Sequence, residues 1–329
     1  MELKGKALFN LLRINWLEER SSDVKLWQVE DLQGVGIEEL FSRLKALGFI
    51  LTEESFYLYA ENCANPEELV DCIWIEEGDL EGKDRAYLVL FELWRRLLAD
   101  KFCLAIFCDE LDQLIEVYDS QGLEDEEPLQ KALGILEDLL DDAYDKERDA
   151  KKVFRDISSY CAHDLERFIF DYISDQIIEN NATYASELVD AFYPYATDRR
   201  RFDLLRARLF YLSDLEESNI IYGRILEELS ETPDLELVLL VAESLIHHGD
   251  VHLFMQAVKQ ALPLLKTEEE FQNLLAMIAE YYRCLDRDDK EKAVVSMLDA
   301  RSSRPLEKSI DPSDKALALL SDLVGGIGL

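Results

Sequence analysis

The sequence predicts an all-α protein: a right-handed α-solenoid of helical hairpins over residues 163–300, behind a helical but irregular N-terminal half. Three observations predict it. The 329 residues include only 13 Gly and 7 Pro, too few for a sandwich rich in tight turns. Leu, Glu, Asp, Ala and Arg dominate, a composition that favours helix. A 35-residue period also runs through the C-terminal half, marked by Thr197, Thr232 and Thr267.

Helices are expected over 2–20, 36–47, 52–62, 66–74, 84–100, 103–118, 128–143 and 149–160. Gly34 and Gly36 bracket a break. Asn65 is a cap, with Pro66 at the first helical position. The stretch 84–119 is the most apolar and is the expected core of this half. Residues 120–130 combine Gly, an acidic run and Pro, and read as a linker. The expected organisation is an irregular helical region (1–120), an acidic linker with helices (121–162), four hairpins (163–300), and a linker with a short helix (301–329).

Within the period, each threonine is an expected helix cap. Pro233 follows one of them, and Glu270 stands at capping-box spacing from Thr267. Leu pairs follow at 204–205, 239–240 and 274–275, and all six are predicted core. Ala207, Ala242 and Met277 come next, giving mostly small residues where helices approach. Upstream, Ala162 and Ile169-Phe170 continue the register loosely. Asp214, Asp250 and Asp286 mark the start of each second helix.

This pattern resembles tetratricopeptide repeats. The resemblance rests on the period, the small residue of the first helix, Gly249-Asp250 at the turn and Ala261-Leu262-Pro263 near a repeat end. It covers residues 163–300. It implies a stack of hairpins with a concave, protein-binding surface. The family's Trp-Leu-Gly-Tyr signature is absent, and Phe254 stands where a small residue is expected. No peptide-clamp residues carry over.

A formal charge of −35 argues against general nucleic-acid binding and against anionic membranes. Residues 109–149 carry 16 acids and three bases, a net of −13. This reads as a solvated face, with a docking surface for a basic partner as the alternative. The six cysteines lack C-x-x-C spacing and read as reduced, mostly buried thiols. With no signal-peptide pattern and no apolar run of membrane-spanning length, a cytoplasmic location is expected.

Residues 197–212 concentrate Arg199, Arg200, Arg201, Arg206 and Arg208. On a helix, Phe202, Leu205, Leu209 and Leu212 form a buried stripe. Arg201 and Arg208 flank it on one side, Arg199 and Arg206 on the other. The leading expectation is ion pairing within the chain, with Glu187, Asp190, Glu216 and Glu217 as partners. The alternative is recognition of an acidic peptide or a C-terminal carboxylate, with Tyr193, Tyr195 and Phe192 lining a groove.

His247, His248 and His252 cluster around Asp250, but a turn between helices does not assure converging ligands, so no metal is assigned. Asp145, Glu147, Asp149 and Asp156 copy a calcium loop loosely, with Ala150 at the position that needs Gly. P-loop, dinucleotide, zinc-protease and nucleophile-elbow motifs are absent. Cys161 and His163, placed on a helix, would face different sides. The tail reads as a polar linker, then a short apolar helix capped by Ser313 and ended by Gly325-Gly326. No catalytic residue or cofactor is assigned. The expected role is a non-enzymatic adaptor, scaffold or chaperone-like binder of another protein or peptide. The rivals are an acidic decoy for a basic nucleic-acid-binding protein and an enzyme with an unfamiliar site.

Overall fold

The computed structural model describes residues 3–19, 23–74, 79–123, 125–147, 149–248, 250–311 and 313–325. Among these residues the regular structure is helical, apart from one isolated antiparallel bridge between Thr267 and Ser309. No described helix is long and apolar enough to cross a membrane. The chain divides into two compact units, residues 1–169 and 170–329.

The N-terminal unit contains α1 (Ala7–Glu19), α2 (Leu26–Val29), α3 (Ile37–Ala46), α4 (Glu53–Ala60), α5 (Pro66–Ile73), α6 (Leu80–Leu97), α7 (Leu104–Gln121), α8 (Glu127–Glu147) and α9 (Ala150–Ser158). Local chemistry sets the starts. Thr52 and Ser55 cap α4 reciprocally, Asn65 accepts the Glu68 N–H with Pro66 behind it, and Asp149 accepts the Lys152 N–H. Helix α6 is the core of the unit: every residue from Ala86 to Trp94 is buried. Leu40, Leu44, Phe56 and Leu69 of α3, α4 and α5 belong to the same cluster. Burying a helix on all sides needs apolar residues on nearly all sides, and 86–94 supplies them except at Glu92, which is paired with Arg95 and Arg96.

Helix α10 (Leu165–Ile178) carries the division between the units. The C-terminal unit continues with α11 (Ala182–Phe192), α12 (Arg199–Tyr211), α13 (Leu215–Glu231), α14 (Leu235–His248), α15 (Val251–Ala261), α16 (Glu268–Cys284), α17 (Asp288–Asp299) and α18 (Lys315–Gly325). Helices pack in successive pairs: α12 with α13, α14 with α15, α16 with α17. Helix α14 also packs on α12 and α16, and α13 on α15. Asn180 (φ 65°) and Asp286 (φ 54°) take the left-handed conformation after α10 and α16, where a chain leaving a helix must turn.

The repeat register differs from the 35-residue reading. Of the three threonines that mark the period, Thr267 alone is a helix N-cap, with the Glu270 capping box. Helix α12 is capped by Asp198 and α14 by Asp234, so Pro233 precedes the helix rather than opening it. Thr232 ends α13 instead. The carboxylate one or two residues downstream wins because it accepts the first-turn N–H groups with full charge. The shift moves the core. Leu204, Leu205, Leu274 and Leu275 are buried, but in α14 the buried residues are Leu237, Val238, Val241 and Ala242. Leu239 and Leu240 are only half-buried. Asp214 and Asp250 cap α13 and α15 as expected; Asp286 is a turn residue instead. Phe254, where a small residue was expected, is fully buried and stacks on Tyr281 with ring centroids 3.7 Å apart.

The polar linker read from the sequence is, over residues 301–311, a docked strap. Glu268 and Glu269 donate their N–H groups to Lys308 and Leu306, and Ile310 donates to Lys266. The Arg301 guanidinium, 2% exposed, grips both oxygens of Glu268 at 2.6 Å and reaches Asp314 at 2.7 Å. Burial alone would raise the Asp314 carboxyl, but the Ala316 N–H, Arg301 and Arg304 hold it down at about 2. Asp314, not Ser313, caps α18. Helix α18 then packs on α15 and α17 through buried Leu320. Gly326 and Gly249, named in the sequence reading, lie outside the described residues, as does the side chain of His248.

Candidate functional site

Asp198 starts α12, so the five arginines project from one helix onto two sides. On one side Arg206 bonds Asp190 at 3.1 Å and its guanidinium lies 3.8 Å from the centre of the Tyr193 ring. Arg199 lies 5.4 Å from the same ring. On the other side Arg201 reaches Glu236 at 2.7 Å. Arg200 folds back on Asp198 through Nε and Nη2, and its Nη1 meets the Thr232 carbonyl at 2.9 Å. Burial opposes the Asp198 charge, but the Arg200 side chain and N–H pull its carboxyl below the usual range. Of the acids expected as partners, Asp190 is one. Glu187 only borders the cavity near Arg206, and Glu216 and Glu217 lie in the first turn of α13. Asp198 and Glu236 take the remaining roles because a helix start and the neighbouring helix bring them closer. Tyr195 and Phe192 are core residues, 2% and 1% exposed, and line no groove.

Arg208 stands apart. Its Nε donates to Ser244 Oγ at 2.7 Å and its Nη1 to Ser174 Oγ at 3.3 Å. Both hydroxyls pass their own protons to carbonyls one turn back, of Leu240 and Phe170. No described carboxylate pairs with it; Glu243 acts only through its field. Burial pulls the guanidinium below the usual arginine range, although it remains a cation at neutral pH. The side chain borders a cavity of about 410 Å³ with Ile177, Asn180, Tyr211, Tyr222 and His247. Burial raises the Tyr222 hydroxyl to about 12, so it stays protonated. Ile178 and Leu212, 73% and 54% exposed, form an apolar lip. Leu212 was expected in the buried stripe; α12 ends at Tyr211, which turns Leu212 outward.

The N-terminal unit holds a second polar centre. Asp109 and Asp112 of α7 are 1% and 3% exposed. Asp109 accepts from Lys6 at 3.0 Å and Asn10 at 2.8 Å. Asp112 accepts the N–H groups of Ala162 and His163 and lies 3.0 Å from His163 Nδ1. Burial works against the His163 cation, but Asp112 wins and its pKa is raised. Cys161 and His163 sit in the loop before α10, not on a helix. The Cys161 thiol is hydrogen-bonded to Cys108 and buried, both of which push its pKa well up, so it is no ready nucleophile for His163.

The four acids of the loose calcium pattern are spread from the end of α8 (Asp145, Glu147) through the Asp149 cap to the last turn of α9 (Asp156). The six cysteines are free thiols, and Cys72 and Cys284 are exposed. One grouping was invisible in the sequence: His247 of α14 meets Glu280 and Cys284 of α16, with the three ligand atoms within 4.8 Å of one another. Helix packing creates it, so no local spacing announces it. The sequence matches no protein-family model, no curated protein and no solved structure.

Proposed function

We propose that the protein is a non-enzymatic binder, an adaptor or scaffold, whose residues 163–300 build right-handed, tetratricopeptide-like solenoid turns and accept a carboxylate of a partner protein at Arg208. One observation carries the reading. In a chain of charge −35, Arg208 is a partly buried cation whose hydrogen-bond partners among the described residues are two hydroxyls, and it faces a cavity of about 410 Å³. A guanidinium offers a planar fork that fits a carboxylate, and Ser174 and Ser244 fix its orientation. The Ile178–Leu212 lip supplies apolar contact for the residues beside that carboxylate. The packing of α14 on both α12 and α16 is the neighbour relation that a hairpin stack requires.

The test is fluorescence anisotropy with a peptide library that varies acidic side chains and the C-terminus, free or amidated. Binding should require a carboxylate and fall at least tenfold in Arg208→Gln, while Arg200→Ala binds as wild type. Peptides that bind Arg208→Gln equally well would overturn the proposal.

A second reading has its own observation. Asp138, Asp141, Asp142, Asp145 and Glu147 of α8 are all exposed. Burial and the neighbours Asp141 and Asp138 raise the Glu137 carboxyl. Such a face suits a basic, nucleic-acid-binding protein, for which this chain would act as an acidic decoy. That binding would collapse with added salt and ignore Arg208→Gln.

A further inference from the structure

We infer that His247, Glu280 and Cys284 form a binding site for a first-row divalent cation, with zinc as the best fit. Two helices build it. Glu280 and Cys284 are one turn apart on α16, and His247 lies in the last turn of α14, which packs on α16. Cys284 Sγ is 3.4 Å from His247 Nδ1 and 3.9 Å from Glu280 Oε1. A tetrahedral zinc ion with ordinary Zn–S and Zn–N bonds separates its sulfur and nitrogen ligands by roughly 3.6 Å. Without a metal, the sulfur and ring nitrogen already stand near that spacing.

The donor set suits the ion. A thiolate, a carboxylate and a neutral imidazole carry two negative charges, which a divalent cation neutralises. Without a metal, the Cys284 sulfur lies within reach of both the His247 ring nitrogen and the Glu280 carboxylate. A cation satisfies all three. On binding, the S–H bond breaks, the proton leaves to solvent, and the sulfur lone pair forms the metal bond. The Glu280 carboxylate is already oriented: Arg283 pairs with Oε2 and leaves Oε1 toward the sulfur. Thiolate and imidazole together select zinc over magnesium or calcium, which prefer all-oxygen cages. With three protein ligands, one coordination position stays open to water or to a ligand from a partner. This site does not depend on the Arg208 reading.

The experiment uses the full chain stripped with chelator and titrated with Co²⁺, then with Zn²⁺ as competitor. The proposal expects one equivalent of Co²⁺ to give a thiolate-to-metal charge-transfer band that Zn²⁺ abolishes. The band should vanish in Cys284→Ser, which should fold normally because the side chain is exposed. It should persist in Cys72→Ser, the control for the other exposed thiol. His247→Ala and Glu280→Gln should each weaken metal affinity by at least about tenfold. Zinc should raise the melting temperature of the wild type and not of Cys284→Ser. No band in the folded wild type, or a band that survives Cys284→Ser, overturns the site. So does zinc affinity unchanged in His247→Ala, which would assign the binding to scattered surface carboxylates.

Discussion

Two charges withdrawn from water, Asp112 in one unit and Arg208 in the other, are compensated in different ways. In the N-terminal unit Asp112 meets two backbone N–H groups, the Asn10 amide and the His163 ring, all from its own chain. In the C-terminal unit Arg208 meets two hydroxyl oxygens and a cavity. A charge taken out of water must be compensated or it weakens the fold. Asp112 is compensated by the fold and reads as structural. Arg208 is compensated in part, by two hydroxyls, and borders a cavity, which is why the proposed carboxylate site is placed there. The difference is one of compensation: Asp112 is met by charge and backbone donors, Arg208 by neutral hydroxyls.

The largest expected effect lies with the first kind. Asp112→Ala strips the acceptor from the Ala162 and His163 N–H groups at once. Removing one partner of a buried charged network costs about 3–5 kcal/mol. All four tryptophans (Trp16, Trp27, Trp74 and Trp94) lie in the N-terminal unit, so tryptophan fluorescence in urea reports that unit. Its midpoint should fall steeply in Asp112→Ala. A midpoint near that of the wild type would erase the contrast between the units.

Arg208 should behave the other way. Arg208→Met removes a partly compensated cation and keeps most of the stem packing. Stability of the C-terminal unit should change by no more than about 1 kcal/mol in either direction. Hydrogen exchange of α12 and α14 amides measures it. A loss comparable with that of Asp112→Ala would make Arg208 a structural residue and remove the basis for a carboxylate site.

The sequence showed the local part of this contrast and concealed the rest. Asn65, Pro66, Asp214 and Asp250 act within a few residues of themselves, so their roles were legible as helix signals. The two faces of the arginine helix were legible too, because helical geometry fixes which residues share a side. Register was not. Thr232 and Asp234 are both good caps two residues apart, and the choice moved the buried set of α14 away from Leu239 and Leu240. Nor were the long-range meetings. Asp112 and His163 are 51 residues apart, and His247 and Cys284 are 37. Only the packing of separate helices and loops brings them together. The strap of 301–311 was read by its polar composition, which says nothing about the carboxylates waiting for Arg301.

A pH experiment sharpens the comparison further. The His163 pKa is raised in the folded unit: burial opposes the cation, and Asp112 overcomes it. The imidazolium therefore adds stability that is fully present below the unfolded value of about 6.5 and is lost as pH rises through the folded value. Tryptophan fluorescence should show the N-terminal unit losing this increment as pH rises above about 6.5. His163→Gln should remove that dependence. If the dependence persists in His163→Gln, the Asp112–His163 contact contributes no charge interaction.

The smallest effect belongs to the arginines that the fold already engages near its surface. Arg201 pairs with Glu236, whose side chain is 51% exposed, and a pair in that setting is worth about 0.2–1 kcal/mol. Water and salt screen it, and holding two long side chains together offsets part of the attraction. Arg201→Ala should therefore lower the stability of the C-terminal unit slightly, and 1 M salt should shrink the difference from wild type. Peptide affinity should not change, because Arg201 already has a carboxylate of its own chain. A peptide lost in Arg201→Ala but kept in Arg208→Gln would move the binding surface along α12, to the arginines near its start.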